Sequence, residues 1–235
     1  MSIHKGHRAR LKQRFRQDGL DNFNEVNALE LLLFYCVPRV DTNPLAHRLL
    51  DHFGSLSQVL DASAAELEKV EGVGENVSTF LTLLTQACRY YQTKRAETGK
   101  ILRSVEECGE YMMPYFIGRE VETVYMLCLD AKCKVLCCKK VGEGSVNSAN
   151  IPTRRIVEMA LGANATTVVL AHNHPSGLAI PSTEDVQTTH KIGAALETVD
   201  VILADHLVMS KEDFVSIVQS QYYKPSGESK TTQLV

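Results

Sequence analysis

The chain has 235 residues, a formal net charge of −3, 44% hydrophobic and 23% charged residues. That length suits one or two domains with a good core, and the slightly acidic balance excludes nucleic-acid binding through overall charge. No apolar run approaches the roughly 18 residues of a membrane helix, and the N-terminus lacks the apolar stretch of a secretory signal. The cysteines are odd in number and not spaced as a secreted disulfide framework, so a cytoplasmic protein is expected.

Residues 2–17 carry Lys5, Arg8, Arg10, Lys12, Arg14 and Arg16, with no acid before Asp18. Apolar residues then recur at three- and four-residue steps from Val26 to Phe34 and from Pro44 to Phe53, which predicts helices. Ser63-Ala64-Ala65-Glu66 has the spacing of a capping box and opens another. Asn76 to Tyr91 predicts a longer helix, with Cys88, like Cys36, read as core filler. Between these, Val70-Glu71-Gly72-Val73-Gly74 resembles the hairpin of helix-hairpin-helix modules, whose glycines let backbone amides approach a DNA phosphate. With the basic stretch it makes DNA a candidate partner of the N-terminal domain. Against this, Glu68, Glu71 and Glu75 flank the turn and would repel phosphate, and two nearby glycines also serve simply to join helices closely.

The polar segment 97–100, which contains Gly99, marks a domain boundary. It separates a helical domain over 1–98 from a second domain over 101–223, and the polar residues 224–235 are expected to be disordered. From Ile101 the pattern alternates helix and strand, which predicts an α/β sandwich. Cys133, Cys137 and Cys138 cluster near Cys128, and in an alternating apolar strand they read as small core residues rather than a second metal site.

The densest chemistry lies further on. Thr167-Val168-Val169-Leu170-Ala171 is short, unbroken and β-branched, so it predicts a buried strand. It runs into His172-Asn173-His174-Pro175-Ser176-Gly177, where Pro175, Gly177 and Pro181 hold the next segment as a loop. Two histidines at i and i+2 on a strand point to one face. Ser182 and Asp185 follow, placed as a capping box with aspartate in the glutamate position. Two imidazoles and a carboxylate form a three-ligand set, and catalytic zinc sites use three protein ligands and leave the fourth position to water. His₂Asp also suits iron or manganese.

His-x-His, seven residues, Ser, two residues and Asp resembles the JAMM (MPN-plus) metalloprotease motif. The form His-Asn-His-Pro-Ser-Gly with Pro-Ser-x-x-Asp is similar to the bacterial RadC family within it. Glu122 to Asp130, Ala160 to Ala165 and the pair Asp205-His206 are similar to further segments of that family, and the likeness is close from about residue 101 to 222. One departure is Thr153-Arg154-Arg155, where the family has Pro-Arg-Glu, which bears on a partner or substrate contact more than on the chemistry.

The resemblance implies a C-terminal MPN (JAB, cytidine-deaminase-like) α/β/α sandwich beside a smaller all-helical N-terminal domain. It implies that His172, His174 and Asp185 bind zinc, that Glu122 is the general base, and that Ser182 helps hold the oxyanion. The implied reaction is hydrolysis of a peptide or isopeptide bond in a protein substrate by zinc-activated water. Glu120 lies two residues from Glu122 and would face the same side of a strand, so it stays open as the base. Asn173 is expected to stabilise the loop, and His206 to orient a ligand from behind or simply to be a satisfied strand histidine. The family's association with DNA repair supplies the rival reading, a DNA-associated factor whose metal fold is structural.

Overall fold

A computed structural model describes residues 6–95, 99–144, 152–174, 179–211 and 213–220. The expected loop residues Pro175 and Gly177 and the expected disordered tail lie outside them. The chain divides into two compact units, Met1–Cys88 and Arg89–Val235.

The first unit holds helices α1 (His7–Asp18), α2 (Glu25–Cys36), α3 (Asn43–Phe53), α4 (Leu56–Asp61), α5 (Ala64–Leu67) and the start of α6 (Glu75–Arg95). Their starts follow from capping chemistry: Asn24 accepts from the Asn27 amide, Ser55 from the Gln58 amide, and Ser63 and Glu66 form a complete reciprocal box. Their apolar stripes meet in one core around Leu29, Leu33, Leu45, Leu49, Leu67 and Leu81. Each such side chain contributes about 1.5–3 kcal/mol by leaving water. Along α6 the stripe is buried at Val77 and Leu81 and half-buried at Leu84. It runs out of core before Cys88, which is exposed rather than core filler; Cys36 is half-buried. The division between units falls inside α6, and the polar segment around Gly99 follows that helix.

The second unit is built on a five-stranded sheet in the order β2-β1-β3-β4-β5. Its strands are β1 (Thr123–Leu129), β2 (Val135–Glu143), β3 (Thr167–Asn173), β4 (Ile202–Met209) and β5 (Phe214–Ser216). β1 pairs antiparallel with β2 and β3, β3 parallel with β4, and β4 antiparallel with β5. The remaining helices are α7 (Val105–Met112), α8 (Thr153–Gly162) and α9 (Thr183–Glu197). Every residue of β1 is buried, as its continuous apolar run requires of a strand covered on both faces.

Two cores lie on the two faces, which makes the domain a three-layered α/β/α sandwich. Val124, Met126, Val168 and Leu170 pack with Ile156 and Ala160 of α8 and Ile192 and Leu196 of α9. Tyr125, Leu127, Val169 and Ala171 pack with Cys108 and Met112 of α7. The cysteines of β1 and β2 belong to these cores: Cys128 lies on the first, with Cys137 against it, and Cys138 against the second. No helix among the described residues is long and apolar enough to cross a membrane.

One irregularity sets which residues of β4 face which layer. Val168 pairs with Leu203, but Val169 pairs with Asp205, so Ala204 is an extra residue in the ladder. Leu203 packs in the α8/α9 layer, and after the bulge Leu207 and Met209 pack in the α7 layer while Val208 returns to the first. The bulge thereby turns His206 toward α9 and Asp205 toward α7.

Candidate metal centre

β3 ends at the site. His172 is its penultimate residue and is fully buried; it pairs across the sheet with Val124 and so faces the α8/α9 layer. His174 follows just past the strand on the same side, with 3.0 Å between the two Nε2 atoms. α9 supplies the carboxylate from its first turn. Asp185 is buried, with Oδ1 3.3 Å from His172 Nε2 and Oδ2 3.5 Å from His174 Nε2. These ligand atoms lie within 4.8 Å of one another, the one such His/Cys/Asp/Glu group among the described residues.

The helix start aims the carboxylate. Ser182 N and Oγ each donate to Asp185 Oδ2 at 2.7 Å, and Asp185 N donates back to Ser182 Oγ at 3.1 Å. This is the expected capping box in full. It occupies one side of Oδ2 and leaves Oδ1 turned to His172.

The donor set fits a zinc-sized ion. Bonds of about 2.0–2.1 Å at tetrahedral angles place ligand atoms roughly 3.3 Å apart; His172 Nε2 lies 3.0 Å from His174 Nε2 and 3.3 Å from Asp185 Oδ1, while the 3.5 Å approach to His174 is made by the other carboxylate oxygen, Oδ2. Burial also keeps the inner imidazoles uncharged. It pushes the His206 pKa down to about 4 and pulls His172 well below its ordinary value, with the neighbouring His206 adding to the latter. Neutral imidazole is the form that ligates a metal.

Behind His172 lies a buried polar chain. His172 Nδ1 is 2.8 Å from His206 Nε2, and His206 Nδ1 is 2.7 Å from Thr189 Oγ1. Thr189 Oγ1 in turn donates to the Asp185 carbonyl at 2.6 Å. His206 is thus hydrogen-bonded on one side to His172 and on the other to Thr189, which fits both roles its sequence position left open. Thr189 is a residue the sequence reading missed. Its four-residue step from Asp185 on one helix face is the signal that could have found it.

Glu122 stands directly before β1 and is half-buried, whereas Glu120 is exposed. The β1–β3 register pairs Val124 with His172. Glu122 therefore lies two residues before the paired part of β1, and His174 two residues after that of β3. Asn173 holds this segment: its Oδ1 accepts from Thr123 N at 2.8 Å and its Nδ2 donates to Val121 O at 3.2 Å. The side chain therefore grips the backbone on both sides of Glu122 and points away from the histidines.

At α1 the basic residues are largely engaged. Arg8 donates to the carbonyls of Phe34, Val37 and Val40 at the end of α2, and its guanidinium lies 4.6 Å from the Phe34 ring centre. Lys12 lies over Tyr35 and Arg14 over Phe23. In the glycine hairpin, Gly72 takes a φ of +93°, and the Arg48 guanidinium donates to Glu71 O at 2.9 Å. At the departure from the family pattern, Arg154 pairs with Glu158 on the exposed surface of α8.

Residues 101–222 match the family described as the RadC-like JAB domain. A UPF0758 protein of Fusobacterium nucleatum is 31% identical over 221 residues, covering 91% of this chain and 95% of the relative. UPF0758 proteins of Ruegeria pomeroyi and Rhodobacter capsulatus are 35% and 36% identical over 205 and 201 residues. These cover 87% and 86% of this chain and 92% and 94% of the relatives. The chain belongs to the RadC family.

Proposed function

We propose that this RadC-family protein is a zinc-dependent hydrolase of the JAMM type that cleaves a peptide or isopeptide bond. The observation that carries the reading is the convergence of His172 Nε2, His174 Nε2 and the Asp185 carboxylate on a point floored by buried side chains. A zinc ion held there would supply Lewis acidity, acidifying water and polarising a scissile carbonyl. Glu122, half-buried directly before β1, takes a proton from the attacking water and returns it to the leaving nitrogen. Asn173 fixes the backbone that carries Glu122. The Ser182 hydroxyl, assigned by resemblance to the oxyanion, donates to Asp185 Oδ2 at 2.7 Å, so it serves an oxyanion only by exchanging that acceptor.

The test is Glu122→Gln beside Glu120→Gln, assayed on peptide and isopeptide-linked substrates with metal content measured in parallel. Glu122→Gln is expected to keep its metal and lose roughly 10²–10⁴-fold in cleavage rate, with Glu120→Gln near wild type. Full activity in Glu122→Gln would remove Glu122 from this role. Cleavage that persists in metal-free protein would overturn the zinc dependence, and absence of cleavage in zinc-loaded wild type would overturn the hydrolase reading. The DNA reading has no comparable support, because Arg8, Lys12 and Arg14 are engaged by α2 and neighbouring aromatic rings.

A further inference from the structure

We propose that Thr189 is a positioning residue that sets the tautomers of both buried histidines and so turns the Nε2 lone pair of His172 toward the metal position. The inference rests on the metal reading above and adds to it a residue that touches neither metal nor substrate.

The argument is a count of protons along the chain of hydrogen bonds. A carbonyl oxygen only accepts, so the single Thr189 hydroxyl proton goes to Asp185 O, 2.6 Å away. The same hydroxyl oxygen must then accept from His206 Nδ1, 2.7 Å away on its other side. A neutral imidazole carries one N–H, so His206 Nε2 holds a lone pair. That lone pair faces His172 Nδ1 at 2.8 Å, and His172 must donate to it. The His172 proton is thereby fixed on Nδ1, and Nε2, the atom facing Asp185 and His174, is left with its lone pair outward. All three side chains are buried, so no water competes for these bonds.

The chain also closes on itself. Its last acceptor is the backbone carbonyl of Asp185, the residue whose side chain supplies the third ligand. One hydroxyl thus ties the donor state of His172 to the helix turn that carries the carboxylate. The β4 bulge makes the link geometrically open, since it turns His206 to this face of the sheet.

Removing the hydroxyl while keeping the shape breaks the count. In Thr189→Val, His206 Nδ1 loses its acceptor, and a buried N–H without a partner is costly. The ring relieves this by moving its proton to Nε2, which then donates to His172 Nδ1. His172 must carry its own proton on Nε2, the atom needed for ligation.

The experiment uses full-length protein, wild type, Thr189→Val and Thr189→Ser, with thermal unfolding confirming that each is folded. Long-range ¹H–¹⁵N spectra of the metal-free, ¹⁵N-labelled forms report which nitrogen of His172 and His206 bears the proton. Zinc affinity is measured by competition with a chromophoric chelator. Wild type and Thr189→Ser are expected to show both protons on Nδ1. Thr189→Val is expected to move them to Nε2 and lose about 10–100-fold in zinc affinity, the usual cost of losing a residue that orients a ligand. A Thr189→Val protein with unchanged tautomers and wild-type affinity would overturn the proposal, as would wild-type His172 protonated on Nε2. Failure of every form to bind zinc would count against the hydrolase reading, while the metal-free spectra would still decide this one.

Discussion

Two helices of this chain open with the same reciprocal lock, and only one of the two borders the candidate metal centre. At α5, Ser63 accepts from the Glu66 amide while the Glu66 carboxylate receives Ser63 N and Oγ, all on an exposed turn. At α9, Ser182 and Asp185 make the same three bonds, but the carboxylate is buried and its other oxygen faces His172. The motif is local and identical in logic, and its surroundings decide what it does. Aspartate is one methylene shorter than glutamate, which keeps its carboxylate close to the helix start, where β3 ends. A capping box therefore says that a helix begins, and the strand end it faces says whether the acid has a second task.

The comparison is broken most sharply by neutralising each acid. Asp185→Asn is expected to reduce metal content from about one ion per chain, as a three-ligand site implies, to none, read by plasma mass spectrometry. Glu66→Gln should leave metal content unchanged. Retained metal in Asp185→Asn would erase the distinction.

Removing each serine sharpens it at smaller amplitude. Ser182→Ala is expected to cost about 1 kcal/mol of stability for the lost cap and, in addition, to weaken zinc binding severalfold, because Asp185 Oδ2 loses one of its two donors, the hydroxyl, and keeps only the backbone amide. Ser63→Ala should lower the melting temperature alone. Equal zinc affinity in both variants would mean that the lock at α9 does not aim the carboxylate.

The smallest effect separates the locks by pH. The bonds from the Ser63 backbone and hydroxyl hold the Glu66 pKa below its ordinary value. Such a group stabilises the fold fully above its unfolded pKa of about 4.3 and loses that contribution as pH falls through the lower folded value. The difference in melting temperature between wild type and Glu66→Gln should therefore shrink as pH drops from about 5 to 3. A difference that stays constant across this window would deny Glu66 an ionised role in the cap.

Much of the site is legible in the residues because its parts are local. The β-branched run Thr167–Ala171 announces β3, the i and i+2 spacing puts both histidines on one side, and the Ser182–Asp185 spacing marks the start of α9. The sandwich itself follows from the alternation of apolar patterns after Ile101. What escapes is what depends on pairing between distant strands. Glu122 is preferred to Glu120 in the sequence only by resemblance; that the one is half-buried and the other exposed depends on packing that neither segment encodes alone. Thr189 is invisible as a polar residue on a helix until His206 is seen to face it. His206 faces it only because β4 carries an extra residue. Cys88 fails for a related reason: periodicity places it on the apolar stripe of α6, but periodicity does not say where the core beneath that stripe ends.

The bulge at Ala204 is a phase shift in a strand, and it separates two neighbours that have incompatible needs. Asp205 sends its carboxylate to Ser216 Oγ, its own strand's next amide and Val218 N, while His206 sends its ring to the opposite layer. With unbroken alternation from Leu203, the carboxylate would enter the layer of the candidate metal centre and the imidazole would leave it. A single inserted residue thus keeps an acidic group out of the layer of the candidate metal centre and brings in a neutral ring, changing the electrostatic character of the site by deciding which of two neighbouring residues lines it.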